Sequence, residues 1–115
     1  FDTKQLAVSQ QCESVSITLT HAGKLPVTAM GHNIVIALES DLKGIASDSN
    51  QAGLKNNYVQ PGDKRVIASS KVIGGGEAVT ISVPVGALDP AKQYAFFCAV
   101  PGHWVMMKGD FKVTL

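Results

Sequence analysis

The stretch CAVPGHWVMM, residues 98–107, places a thiol, an imidazole and a thioether within ten positions of the chain. It follows an aromatic run and contains the pair Pro101-Gly102, which is typical of a tight turn. By alternation, Phe96 and Cys98 share one face of the preceding strand, so the thiol is expected to point inward at the end of that strand. We predict a bent loop between two short strands.

The side chains of Cys98, His103 and a following methionine suit copper in an electron-transfer site, once a second histidine joins them. His32, preceded by Gly31, is the candidate for that histidine. Two alternatives stay open on these residues alone. A buried cysteine commonly packs as a small hydrophobic residue, and methionine commonly fills a core. Zinc is also held by cysteine and histidine, although a thioether suits it poorly.

Length and charge set the first bounds on function. The 115 residues are predicted to form a single domain, 1–115, large enough to bury a core. The net charge is +1 and the basic residues are scattered, which gives no footprint for nucleic acid. No apolar run approaches the roughly 18 residues that a membrane span requires. We therefore expect a soluble globular protein with no nucleic-acid partner and no membrane insertion.

Strands dominate the hydrophobic pattern. Residues 14–21 alternate polar and apolar side chains, as do residues 79–83, and this period of two is typical of half-buried strands. Further strands are predicted at 3–8, 32–38, 64–69, 93–98 and 110–115. Many short strands joined by Gly and Pro turns predict an all-β fold, a Greek-key sandwich or barrel.

One segment, residues 41–53, lacks this alternation and is predicted to be a short helical insertion outside the barrel. Ser40 or Asp41 is the expected N-cap, and Gly53 is expected to end the helix.

Six short motifs carry a resemblance to a known family. They are MGHN at 30–33, GDKRVIA at 62–68, IGGGE at 73–77, YAFFC at 94–98, PGH at 101–103 and MKG at 107–109. Together and in this order, the motifs resemble those of the azurins, blue copper proteins of the cupredoxin family, over nearly the whole chain.

The resemblance implies a ligand set for one copper ion that alternates between Cu(I) and Cu(II). His32, Cys98 and His103 would be the main ligands, and Met107 the weak axial ligand, with Met106 pointing away into packing. The carbonyl of Gly31 would face the ion from the other side, although an ordinary bulge glycine is the alternative.

The resemblance also implies a function, a compartment and partners. The protein would be a periplasmic electron carrier, exchanging electrons with redox proteins such as c-type cytochromes or reductases. A copper chaperone or storage protein is the alternative. Electrons would pass through His103, surrounded by an apolar docking patch of Leu25, Ala29, Met30 and Trp104. A Cys–His nucleophile would need a third residue to orient the histidine, and none is apparent, so no enzymatic activity is expected.

Cys12 is left without a partner if Cys98 binds metal. In azurin-like proteins its mate lies on a preceding strand, so we expect either that this chain has been trimmed or that the strand is absent by design. Because its first residues do not resemble a signal peptide, a mature, processed form is expected. A Cys12–Cys98 disulfide is the competing possibility, and it would abolish the site. His21, on the inward face of its strand, is expected to be structural, with a titration that responds to the redox state. The side chain of Asn33 is expected to tie the two ligand loops together.

Overall fold

The computed structural model describes residue 1, residues 3–26 and residues 30–115. In this part of the chain seven strands form two sheets. The strands are β1 (Gln5–Ser9), β2 (Val15–Thr20), β3 (Val35–Leu38), β4 (Val66–Ser69), β5 (Ala78–Val83), β6 (Tyr94–Phe97) and β7 (Lys108–Thr114). An α-helix, α1 (Leu42–Ala52), lies between β3 and β4. The prediction of an all-β sandwich with one helical insertion is confirmed.

The larger sheet has the strand order β1-β7-β6-β3-β4, and β2 pairs with β5 in the smaller one. Only β1 and β7 run parallel among these pairs, and the others are antiparallel. Strands β3 and β6 are neighbours, with Val35 opposite Phe97. Because the pair is antiparallel, the residues before β3 lie beside the residues after β6.

The alternation of side chains along β6 builds two cores from one sheet. Tyr94 and Phe96 face the smaller sheet and join the main core. Ala95 and Phe97 face the opposite way, into a second cluster that includes Ile45 of α1. The large sheet is therefore buried on both faces, by the smaller sheet and by the helix, which holds its central strands in place.

Helix α1 ends as predicted, with Gly53 at its C-cap and at φ 71°. The sequence predicts the start of this helix less accurately than its end. Asp41 is the N-cap but makes no side-chain capping bond, and a 3-10 turn over Glu39–Asp41 leads into the helix, so Ser40 is not the cap. No helix in the described ranges is long and apolar enough to cross a membrane.

The strand predicted at 32–38 begins only at Val35. His32 forms an isolated bridge with Ile73. The amide of Ile34 donates to the hydroxyl of Ser70 instead of a strand carbonyl. A side-chain hydroxyl has thus replaced one bond of the regular ladder at Ile34, whereas His32 is paired through its backbone.

Candidate metal centre

Three of the predicted side chains meet at one edge of the sandwich. His32 precedes β3, Cys98 follows β6, and His103 lies in the loop between β6 and β7. Their donor atoms all lie within 4.8 Å of one another, and Nδ1 of His103 is 3.7 Å from the Cys98 sulfur. The pairing of β3 with β6 thus brings His32 beside two residues from a distant part of the sequence.

His32 is held by its backbone, and one of its ring nitrogens has no partner. Its N–H donates to the Ile73 carbonyl (3.0 Å), and the Ile73 N–H donates back (2.8 Å). Its Nδ1 atom is buried and has no hydrogen-bond partner among the described residues. Buried polar atoms are nearly always paired, so this nitrogen is suited to an external partner such as a metal ion.

The Cys98 thiol is buried. Burial raises its pKa, and the backbone N–H groups of Asn33 and Val100 oppose that rise without cancelling it. A thiolate here is therefore aided by two amides but still needs a nearby cation to form at neutral pH. Copper or another soft cation supplies such a charge.

Met107 and Met106 have different surroundings. The Met107 carbonyl accepts the Cys98 N–H (3.0 Å), and its half-buried side chain lines a 600 Å³ cavity that His32 also lines. Met106 is 77% exposed. The prediction that Met106 points into packing is wrong, because its side chain lies in solvent.

Asn33 joins the two donor segments, as predicted. It is completely buried, and its Oδ1 accepts the N–H of Ala99 at 2.8 Å. Its Nδ2 donates to the carbonyl of Asn57 at 2.9 Å. Asn57 was not predicted from the sequence, because no short-range pattern relates it to the site.

The profile of the copper-binding plastocyanin/azurin family matches residues 1–114. The chain belongs to this family.

Individual relatives agree. The chain is 48% identical to azurin of Alcaligenes faecalis over 113 residues, covering 98% of this chain and 88% of the relative. It is 46% identical to azurin of Achromobacter denitrificans over 114 residues, covering 99% and 76%. A solved azurin (Az-iso2) from Methylomonas sp. strain J superposes with a TM-score of 0.94 at 41% identity, covering 98% and 88%.

The predicted function follows from this membership and from the donor cluster. The protein is a blue copper electron carrier that binds one copper ion and exchanges electrons with other redox proteins. The donor set fits the metal, because a thiol and two imidazoles are the ligands that copper takes in such sites. Nδ1 of His32 has no hydrogen-bond partner in the described part of the chain, which supports this fit independently.

The two donor histidines, His32 and His103, favour the neutral form. Burial lowers the pKa of His32 to about 4, assisted by the charges of His21, His103 and the N-terminus. Burial also lowers the pKa of His103. Neutral imidazoles keep a lone pair available for a metal ion at pH 7, so protons compete for the histidines only weakly.

His21 stacks on His32, with ring centroids 4.6 Å apart, but it lies outside the donor cluster. The Gly23 N–H donates to its Nδ1 (3.1 Å), and its Nε2 lies 2.6 Å from the Met30 carbonyl. An amide only donates and a carbonyl only accepts, so one neutral tautomer satisfies both contacts. His21 is therefore a packed, hydrogen-bonded wall of the site.

The other predictions have mixed outcomes. Gly31 is buried beside His32. Cys12 is a free, exposed thiol and Cys98 is also free, so the competing disulfide is wrong. Trp104 is half-buried against the helix-side core, with the Lys108 ammonium over its ring. Ala29, predicted in the docking patch, lies outside the described residues.

Proposed function

We propose that Cys98, His32 and His103 are the copper ligands, with the Met107 thioether and the Gly31 carbonyl as weaker contacts. The convergence of the three strong donors within 4.8 Å is the observation that carries this assignment. Met107 lines the same cavity as His32, and buried Gly31 directly precedes that histidine. These two facts support the weaker contacts.

The bound ion supplies a one-electron couple, Cu(I)/Cu(II). The chain does the rest. On metal binding the Cys98 thiol would release its proton to solvent, and the two imidazoles, already neutral, would bind without releasing a proton. Backbone bonds to Ile73 and Met107 fix the donor segments, so the donor positions change little with the charge at the site. Small rearrangement is what fast electron exchange requires.

The arrangement suits a carrier and not an enzyme. All strong donors come from the protein, which leaves no open position for a substrate. The whole of residues 1–115 would act as one domain whose only chemistry is the gain and loss of an electron.

Electrons would pass through His103, whose ring is only half-buried. Exposed apolar side chains lie on the segments that flank the donors: Leu25, Met30, Val105 and Met106. Such a surface suits brief docking of redox partners such as c-type cytochromes or reductases. The periplasm, where azurin-like carriers are expected, would be the compartment.

The ligand assignment is tested by loading the protein with Cu(II) and recording visible absorption and electron paramagnetic resonance. We expect an intense thiolate-to-copper band that is absent from Cys98→Ser. Met107→Leu should change the spectrum and the reduction potential, whereas Met106→Leu, at an exposed position, should change neither. An unchanged band in Cys98→Ser would remove the basis of the proposal.

The docking surface is tested by stopped-flow electron transfer to a c-type cytochrome. Val105→Lys places a charge among the exposed apolar residues and should slow transfer. Ser16→Lys adds the same charge on β2, in the smaller sheet, and should leave the rate close to that of the parent. Equal rates for the two variants would show that docking occurs elsewhere.

A further inference from the structure

We propose that Asn57 is a positioning residue that holds both the strand partner of His32 and the residue that follows it, and thereby tunes the copper site. The proposal rests on the assignment of His32 and Cys98 as ligands. Asn57 belongs to neither donor segment; it follows the 3-10 turn Leu54–Asn56 after helix α1.

Two hydrogen bonds connect Asn57 to the segments that flank His32. Its carbonyl oxygen accepts the Nδ2 group of Asn33 at 2.9 Å, and Asn33 directly follows His32. Its own Oδ1 accepts the N–H of Val72 at 3.0 Å. Val72 directly precedes Ile73, whose backbone pairs with that of His32 in both directions. One residue thus holds the strand partner of His32 and the side chain of its neighbour.

The backbone of Asn57 explains why asparagine suits this place. Its φ of 55° and ψ of 32° lie in the left-handed region, which asparagine tolerates better than most residues. This conformation is fixed by the 3-10 turn that precedes Asn57. The Asn57 N–H donates to the Leu54 carbonyl, and the Tyr58 N–H donates to the Gly53 carbonyl. The Asn57 carbonyl is therefore held in a definite direction, towards Asn33.

The effect of Asn57 extends to the segment that carries Cys98. Oriented by Asn57, the amide of Asn33 accepts the N–H of Ala99, the residue after Cys98, at 2.8 Å. Loosening Asn57 would therefore loosen both the backbone pairing of His32 and the hydrogen bond that holds the residue after Cys98. Partners of metal ligands commonly affect a site in this way.

The key variant is Asn57→Gly, which keeps the left-handed backbone and the carbonyl but removes the acceptor of the Val72 N–H. In the copper-free protein we expect amide hydrogen exchange at Val72 and Ile73 to accelerate about tenfold, the effect of one lost hydrogen bond. Amides of β2 and β5 should exchange as in the parent. In the copper-loaded protein the reduction potential and the copper hyperfine splitting should shift.

Two further variants separate positioning from simple stability. Asn57→Asp retains an acceptor and tolerates the same backbone, so it should restore slow exchange at Val72 and Ile73. Asn56→Ala removes the bond from Asn56 Nδ2 to the Ala52 carbonyl at the end of α1. It should lower the melting temperature without altering either the local exchange or the potential.

The proposal is overturned if Asn57→Gly lowers stability as Asn56→Ala does while the exchange at Val72 and Ile73 or the potential stays at the parent value. Failure of Asn57→Asp to slow the exchange would also overturn it. Failure of the ligand assignment looks different: the parent protein itself would then lack the thiolate-to-copper band, whatever residue stands at position 57.

Discussion

The two segments that supply the donors are held by bonds of different range. The loop 98–107 closes on itself: the His103 N–H donates to the Val100 carbonyl, and the Cys98 and Met107 amides bond within the loop. The segment around His32 depends on distant partners, since Asn33 bonds to groups 24 and 66 positions away. One half of the site is a local structure, and the other is assembled by the fold.

This difference in the range of the hydrogen bonds determines how each half positions its donors. The local loop brings Cys98, His103 and Met107 together through its short length and its turn. The distant contacts place His32 against that loop and leave its Nδ1 without a partner among the described residues. The contrast between the halves can be tested by experiments whose expected effects run from a large loss of copper affinity to a small loss of stability.

Removal of a donor from either half should weaken copper binding most. For His32→Ala and His103→Ala we expect a loss in affinity on the order of 100- to 1,000-fold, since the binding energy of a metal site is shared among a few ligands. Competition with a chelator of known affinity measures it. Tight binding by His32→Ala would show that the distant half contributes no ligand.

Removal of the bridge between the halves should be the most damaging change to copper-free stability. Asn33→Ala leaves the buried Ala99 N–H and the Asn57 carbonyl without partners, and each loss costs roughly 1–3 kcal/mol. We expect a total of about 2–6 kcal/mol by urea denaturation. Thr18→Ala, which breaks an exposed bond to Thr80, is the control and should cost well under half as much. Similar costs for the two variants would argue against the bridge.

The protonation states of the donors in the copper-free protein should determine how many protons copper binding releases. Burial keeps the Cys98 thiol protonated at pH 7 by raising its pKa, while both histidines have lowered pKa values and are neutral. Copper loading should therefore release about one proton, and affinity should rise about tenfold per pH unit from 7 to 8. Titration calorimetry in buffers of different ionisation enthalpy measures the release; two or more protons would contradict these pKa directions.

The pH dependence of stability in the copper-free protein tests the lowered pKa of His32. The pKa of His32 is about 4 when folded, against an ordinary value of 6.5. The unfolded chain binds that proton first, so His32 contributes stability above pH 6.5 that is lost as pH falls towards 4. His32→Gln, which has no such titration, should show a shallower loss in this window when melted across pH 4–7. An equally steep loss in both proteins would assign the titration to another group.

Backbone strain in the local loop should have the smallest effect. Gly102 has φ 82°, and no atom of the described residues lies within 4 Å of a Cβ added there. Gly102→Ala should therefore cost only about 1 kcal/mol, from conformation alone. Gly62→Ala, at φ 73° in an equally open turn, should cost the same but leave copper affinity unchanged. A much larger cost at Gly102 would show that the loop depends on more than its local bonds.

The sequence predicted strands well where alternation was regular. In β2 and in residues 79–83 of β5 each inward side chain is apolar and each outward one is polar, and the structure shows the expected burial. The prediction failed at the start of β3, because Ile34 bonds to the Ser70 hydroxyl instead of a strand carbonyl. The bond depends on a residue 36 positions away, so no local pattern indicates it.

The sequence by itself determined the chemistry of this protein. A thiol, an imidazole and two thioethers within ten residues, bent by Pro101-Gly102, are properties of a short chain segment and can be recognised without a fold. The tertiary structure alone decided that Met106 is exposed while Met107 is half-buried, how the backbone of His32 is paired, and that Asn57 bonds to the residue after it. Those features depend on hydrogen bonds and burial between distant segments, which exist only after the two sheets and the helix have packed together.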